Sequence, residues 1–183
     1  MDKWIRAIIS KSRRSRSQKL LVLANFFINW GITANMMTSL SFLLGLGAVY
    51  FFQQNHLWFV ILGILHIVVD GLDGVIARVT TPTRFGKYFD FVSDQLTAIF
   101  LLFKLAWITG DTMIYLVFGL VFFSQLFYAL SNLRAPVLFP RMFLFLLLMI
   151  NQVTLAFLTA GVIGLYSLAV QLKWVIEQKF GGR

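Results

Sequence analysis

The 183-residue chain contains no cysteine, which excludes a disulfide framework and any thiolate zinc site. Its two histidines, His56 and His66, are too few and too far apart for an imidazole metal cluster. Acidic charge is scarce: seven Asp and Glu stand against sixteen Lys and Arg. Charged residues of both signs reach 13% against about 25% in soluble domains, while apolar residues reach 59% against about 45–50%. That composition excludes an ordinary soluble domain. What the chain does have is recurring apolar runs of roughly 20 residues, the length that crosses a bilayer as a helix. The net charge of +9 then speaks for topology and anionic lipid rather than for nucleic acid.

The pattern predicts an all-α, polytopic membrane protein in two parts. Residues 1–33 form a basic N-terminal segment, and 34–183 form a transmembrane domain of six helices. In the first part Trp4, Ile5, Ile8 and Ile9 share one helical face, and Lys3, Arg6, Lys11, Arg13, Arg14 and Arg16 dominate the rest. This predicts an amphipathic helix lying on an anionic cytoplasmic surface, although SRRSRS fits a disordered basic tail equally well. Residues 20–32 are apolar but too short to span, and read as interfacial. Spans follow at about 35–52, 57–78, 86–107 and 112–133. The last apolar block, 142–172, would be about 46 Å long as one helix, against a hydrocarbon core of about 30 Å. It therefore reads as a hairpin turning near Thr159-Ala160-Gly161. With the N-terminus inside, 15 of the 16 Lys and Arg fall on the cytoplasmic side and only Lys104 lies near an outer end. Six spans with both termini cytoplasmic satisfy the positive-inside rule. Five spans would place Lys173, Lys179 and Arg183 outside.

Four of the seven acids, Asp70, Asp73, Asp90 and Asp94, fall in the single stretch DGLDGVIARVTTPTRFGKYFDFVSD. A carboxylate at bilayer depth costs roughly 2.5 kcal/mol or more on insertion scales, so a cluster requires compensating charge. Asp70 and Asp73 are three residues apart and Asp90 and Asp94 four, so each pair shares a helix face. Two antiparallel helices joined by a turn with Thr80, Thr81, Pro82 and Thr83 set both outer aspartates about 12 Å above it. The four carboxylates thus converge at matched depth in a cavity open to the cytoplasm. An all-oxygen set suits Mg²⁺, Mn²⁺ or Ca²⁺ rather than zinc, and Mg²⁺ typically leaves coordination positions for phosphate oxygens. Gly71, Gly74 and Ala77 recur every third residue and leave a strip that serves either a closely approaching ligand or close helix packing. Arg78 either holds a phosphate or snorkels to the headgroups.

This stretch resembles the signature of the CDP-alcohol phosphotransferase family, D-x2-D-G-x2-A-R-x8-G-x3-D-x3-D. Asp70, Asp73, Gly74, Ala77, Arg78, Gly86, Asp90 and Asp94 match each fixed letter. The spacer from Val79 to Phe85 is one residue shorter than the pattern. The family's T-P-N-x-x-T motif is met by Thr33, Ala34, Asn35 and Thr38, with alanine for proline. The resemblance implies that Asp70, Asp73, Asp90 and Asp94 bind Mg²⁺ or Mn²⁺, two ions in number, and that Asp94 is the general base. It implies a CDP-alcohol donor, CDP-diacylglycerol first, contacted by Asp70, Gly74, Ala77, Arg78, Thr38 and Asn35, with Gly86 serving packing. CMP would be the leaving group and the acceptor a small polar or phosphorylated alcohol. Homodimers are common in the family. Arg84, Lys87, Arg134 and Arg141 are candidates for the acceptor, and would favour a phosphorylated polyol if they converged; as ordinary positive-inside residues they need no ligand.

Two other readings compete. A transporter would use the acids as a proton or divalent-cation path, but neither internal repeats nor broken helices are visible. A non-catalytic protein pairing its helices through buried acids would need bases at matching depth, and Lys104 lies at the wrong end.

Overall fold

The computed structural model describes residues 20–81 and 83–180. The expected surface helix over the first residues and Pro82 lie outside the described residues. Seven helices are present among the described residues, with no strand: α1 (Leu20–Asn29), α2 (Ala34–Phe51), α3 (His56–Val79), α4 (Arg84–Thr109), α5 (Thr112–Leu130), α6 (Arg141–Met149) and α7 (Val153–Phe180). Five of them, α2, α3, α4, α5 and α7, are long and apolar enough to cross a membrane.

Polar residues at the helix ends account for where the helices start. Thr33, Asn55, Thr83 and Asp111 each accept a backbone N–H from the first turn of α2, α3, α4 and α5 respectively, satisfying donors that the helix itself leaves open. Ala34 is the first residue of α2. Proline is welcome there because its missing N–H is not needed, so alanine changes little.

Two compact units divide the chain, one formed by residues up to Leu44 with Ile64–Ser93, the other by Gly45–Gly63 with the residues from Asp94 onward. In the first, Ala24, Met37, Leu72, Val75 and Ile76 form the core, with Leu20, Phe27, Ile28 and Ile32 packed against it. Gly31, at φ +76°, turns the chain from α1 into α2 in a conformation that side chains disfavour. In the second, α7 packs on α5 and α6. Ala156 and Ala160 are buried, and a side chain at Gly161 or Gly164 would press on Val117 or Val121. Small residues at this spacing let helices approach closely where no hydrophobic effect drives them together. Lys104 donates to Val49 O and Tyr50 O at 2.7 and 2.6 Å. The ammonium thus caps the last turn of α2, where carbonyls lack partners.

The final hairpin differs from expectation. The chain turns at 150–152, not at Thr159-Ala160-Gly161, which lie inside α7. Asn151 adopts φ +57°, a left-handed conformation that its short polar side chain tolerates. Its N–H and that of Gln152 close the turn onto Leu148 O and Leu147 O. Thr159 instead donates back to Leu155 O within the helix, and Gly161 is used for packing. At nine residues, α6 is about 13.5 Å long, less than half a hydrocarbon core.

Candidate active site

The first unit holds the motif from Asp70 to Asp90. Thr80, Thr81 and Thr83 lie outside both helices, and every fixed residue of the motif lies on α3 or α4. Asp70 on α3 and Asp90 on α4 bring carboxylate oxygens within 4.8 Å of each other. Asp94 follows Asp90 by one turn of α4 and belongs to the second unit. Asp73 stands outside that group. It is 4% exposed and accepts a 2.7 Å hydrogen bond from Thr38 Oγ1 of α2. In the second unit, Asp94 forms an ion pair with Arg141, the first residue of α6, and both side chains are largely buried.

Like charges at these separations repel strongly unless a cation lies among them. The donor set is carboxylate oxygen throughout, with no thiolate or imidazole, which fits a hard divalent ion such as Mg²⁺ or Mn²⁺.

A cavity of about 460 Å³ opens beside these carboxylates within the first unit. Asn35, Thr38, Asp73, Gly74, Ala77 and Asp90 line it, together with Lys87. The small-residue strip on α3 divides in use: Gly74 and Ala77 face the cavity, whereas a side chain at Gly71 would meet Leu20 of α1. Arg78 lies one turn past Gly74, its guanidinium 3.4 Å from where a Gly74 side chain would begin. Gly86 permits the approach of α2: a Cβ there would stand 2.9 Å from Asn35 Oδ1. We therefore expect Gly86→Ala to displace the Asn35 side chain at little cost in thermal stability, since the flexible amide can yield. The KM for the ligand of this cavity should rise while Tm barely moves; an unchanged KM would show that Asn35 does not contact it.

Of the four candidates for the acceptor, Arg141 meets Asp94 and Lys87 lines the cavity. Arg84 opens α4, exposed, and Arg134 is exposed in the segment after α5. Sequence reasoning missed a polar seam between α2 and α3. His66 is 1% exposed, and Ser41 donates to its carbonyl at 3.1 Å while His66 Nδ1 lies 2.9 Å from both Ser41 Oγ and Ser41 O. The signal was available in the spacing, because Ser41 follows Thr38 by about one turn of α2 and so shares its face.

The sequence model of the family described as CDP-alcohol phosphatidyltransferase matches residues 31–176, most of the chain. The chain belongs to the CDP-alcohol phosphatidyltransferase family, a family of transferases that generally depend on divalent metal. With five apolar helices it is an integral, multi-pass membrane protein. Among curated proteins it is similar to an archaetidylinositol phosphate synthase of Pyrococcus horikoshii, 34% identical over 101 residues that cover 54% of each chain. A protein of Aquifex aeolicus without assigned function is 31% identical over 77 residues, covering 41% of this chain and 39% of that protein. The matched region spans about half or less of the curated relatives' length.

Proposed function

We propose that the protein transfers a phosphatidyl group from a CDP-linked lipid, CDP-diacylglycerol in the first instance, to the hydroxyl of an acceptor alcohol, releasing CMP. The observation that carries this reading is the approach of the motif carboxylates beside a cavity floored by Gly74 and Ala77. The nucleotide lies against that floor, where the absence of side chains lets a flat group come close to the helix, and Asn35, Thr38 and Arg78 contact it. Asp70, Asp73, Asp90 and Asp94 hold the divalent ions, with Thr38 fixing the orientation of Asp73. When bound, the ions neutralise charge on the transferring phosphoryl group and on the leaving nucleotide.

Asp94 receives the proton of the acceptor hydroxyl on a carboxylate oxygen. The hydroxyl oxygen then bonds to the lipid-side phosphorus, and the bond from that phosphorus to the CMP oxygen breaks. Arg141 orients the Asp94 carboxylate through their ion pair. The acceptor is a phosphorylated polyol of the inositol phosphate type, a choice supported by the name of the Pyrococcus relative and by Arg134 and Arg141 around α6.

Six crossings with both termini cytoplasmic complete the reading. The stretch from Arg134 through α6 provides the fifth, its extended part contributing reach that a nine-residue helix lacks. Irregular backbone at membrane depth needs partners within the protein. Leu138 has them: its N–H donates to Ser167 Oγ and its carbonyl accepts from Gln125 Nε2 and Ser167 Oγ.

The test is to incubate the purified protein with CDP-diacylglycerol, Mg²⁺ and a panel of acceptors, and to follow CMP. Release only when a phosphorylated polyol is present is the expected result. CMP release with no acceptor at all would leave the function without support.

A further inference from the structure

From sequence, Lys87 reads either as a cation on the acceptor side, because it sits beside the motif, or as an ordinary positive-inside residue. The structure puts it in other company. It lines the same cavity as Thr38, Asp73, Gly74 and Ala77, and among the described residues it is the only cation in the lining. The other charges there are Asp73 and Asp90. Lys87 precedes Asp90 by three residues on α4, so the two share a helix face. Even so, among the described residues its ammonium forms no ion pair with Asp90 or any other carboxylate, and no side-chain hydrogen bond. Asp73 is already engaged by Thr38. A lysine that lines a cavity and makes no ion pair with the carboxylates beside it has its N–H donors available for an anion.

We propose that Lys87 is a donor-side specificity residue whose ammonium takes a phosphate oxygen of the nucleotide, rather than a group of the acceptor. This rests on the reading of the cavity as the site of the CDP-linked donor. Two properties of the site favour phosphate. A compact ammonium binds phosphate as a point charge with no demand for bidentate geometry. Gly74 and Ala77 carry almost no side chain, so base and sugar can lie against them, which leaves the anionic end of the nucleotide for Lys87 in the same lining. Lys87 thereby separates nucleotide from nucleoside.

The experiment measures equilibrium binding of CMP and of cytidine to the full-length protein in detergent with Mg²⁺, without and with added phosphatidylglycerol. For the wild type, CMP should bind more tightly than cytidine. Lys87→Met should weaken CMP by roughly 10- to 100-fold, the scale of one charge-assisted hydrogen bond, and leave cytidine unchanged. Lys87→Arg should recover most of the loss. Equal CMP affinity in Lys87→Met and wild type overturns the proposal, and a response to phosphatidylglycerol that disappears in the same variant would assign the ammonium to a lipid headgroup phosphate instead. A wild type that binds neither CMP nor cytidine would instead remove the donor reading of the cavity, and with it this assignment. A wild type that binds both, with CMP unaffected by the substitution, removes the role of Lys87 alone.

Discussion

Asp94→Asn is expected to stop CMP release while the protein still binds CMP and the CDP-linked donor. Asparagine keeps the size of the side chain and an oxygen that can still accept from Arg141, so the local packing at the start of α6 survives. What it loses is the capacity to take a proton. A positioned general base contributes about 10²–10⁴-fold to rate, and that is the loss to expect in kcat. Donor binding draws on Thr38, Asp73, Gly74 and Ala77, all within the cavity of the first unit, and should change far less. Comparing kcat with CMP affinity in the same preparation separates the two effects. Turnover near the wild-type rate would remove Asp94 from the base role. A parallel loss of CMP affinity would mean that its main duty is to the metal.

Much of the site was legible before any coordinates, because aspartates are rare here and helical arithmetic is unforgiving. Spacings of three and four placed each pair on one face, and the threonine-rich turn marked where the chain reverses. The structure agrees on the approach of Asp70 and Asp90 despite the shortened spacer. Local spacing did not reveal the different setting of Asp73, whose partner Thr38 is 35 residues away. Nor did it reveal that Lys87 would share a cavity with α2. Tertiary pairings of this kind leave no periodic trace. The misplaced final turn has a different cause: glycine and threonine read as breakers, yet in a membrane helix they serve packing and internal hydrogen bonds. The true turn at Asn151 depends on one left-handed residue, which hydropathy does not register.

Removing divalent metal should have the second large effect, on stability as well as on rate. Without a cation, the Asp70 and Asp90 carboxylates face each other within 4.8 Å in a largely apolar helical pair, where their repulsion is screened much less than in water. EDTA should therefore abolish CMP release and also lower the melting temperature of the purified protein. Mg²⁺ or Mn²⁺ should restore both, since binding to the native state alone adds about 2.7 kcal/mol at a free concentration 100 times Kd. The thermal shift is the more telling readout, because it needs no substrate. In Asp70→Asn the metal-dependent part of the shift should shrink, while a substitution outside the motif, such as the exposed Lys173→Gln on α7, should leave it intact. The oxygen donor set predicts the order of rescue as well: Mg²⁺ and Mn²⁺ ahead of Zn²⁺, which prefers nitrogen and sulfur. A protein whose melting temperature and turnover both ignore chelation would not be using these carboxylates for metal.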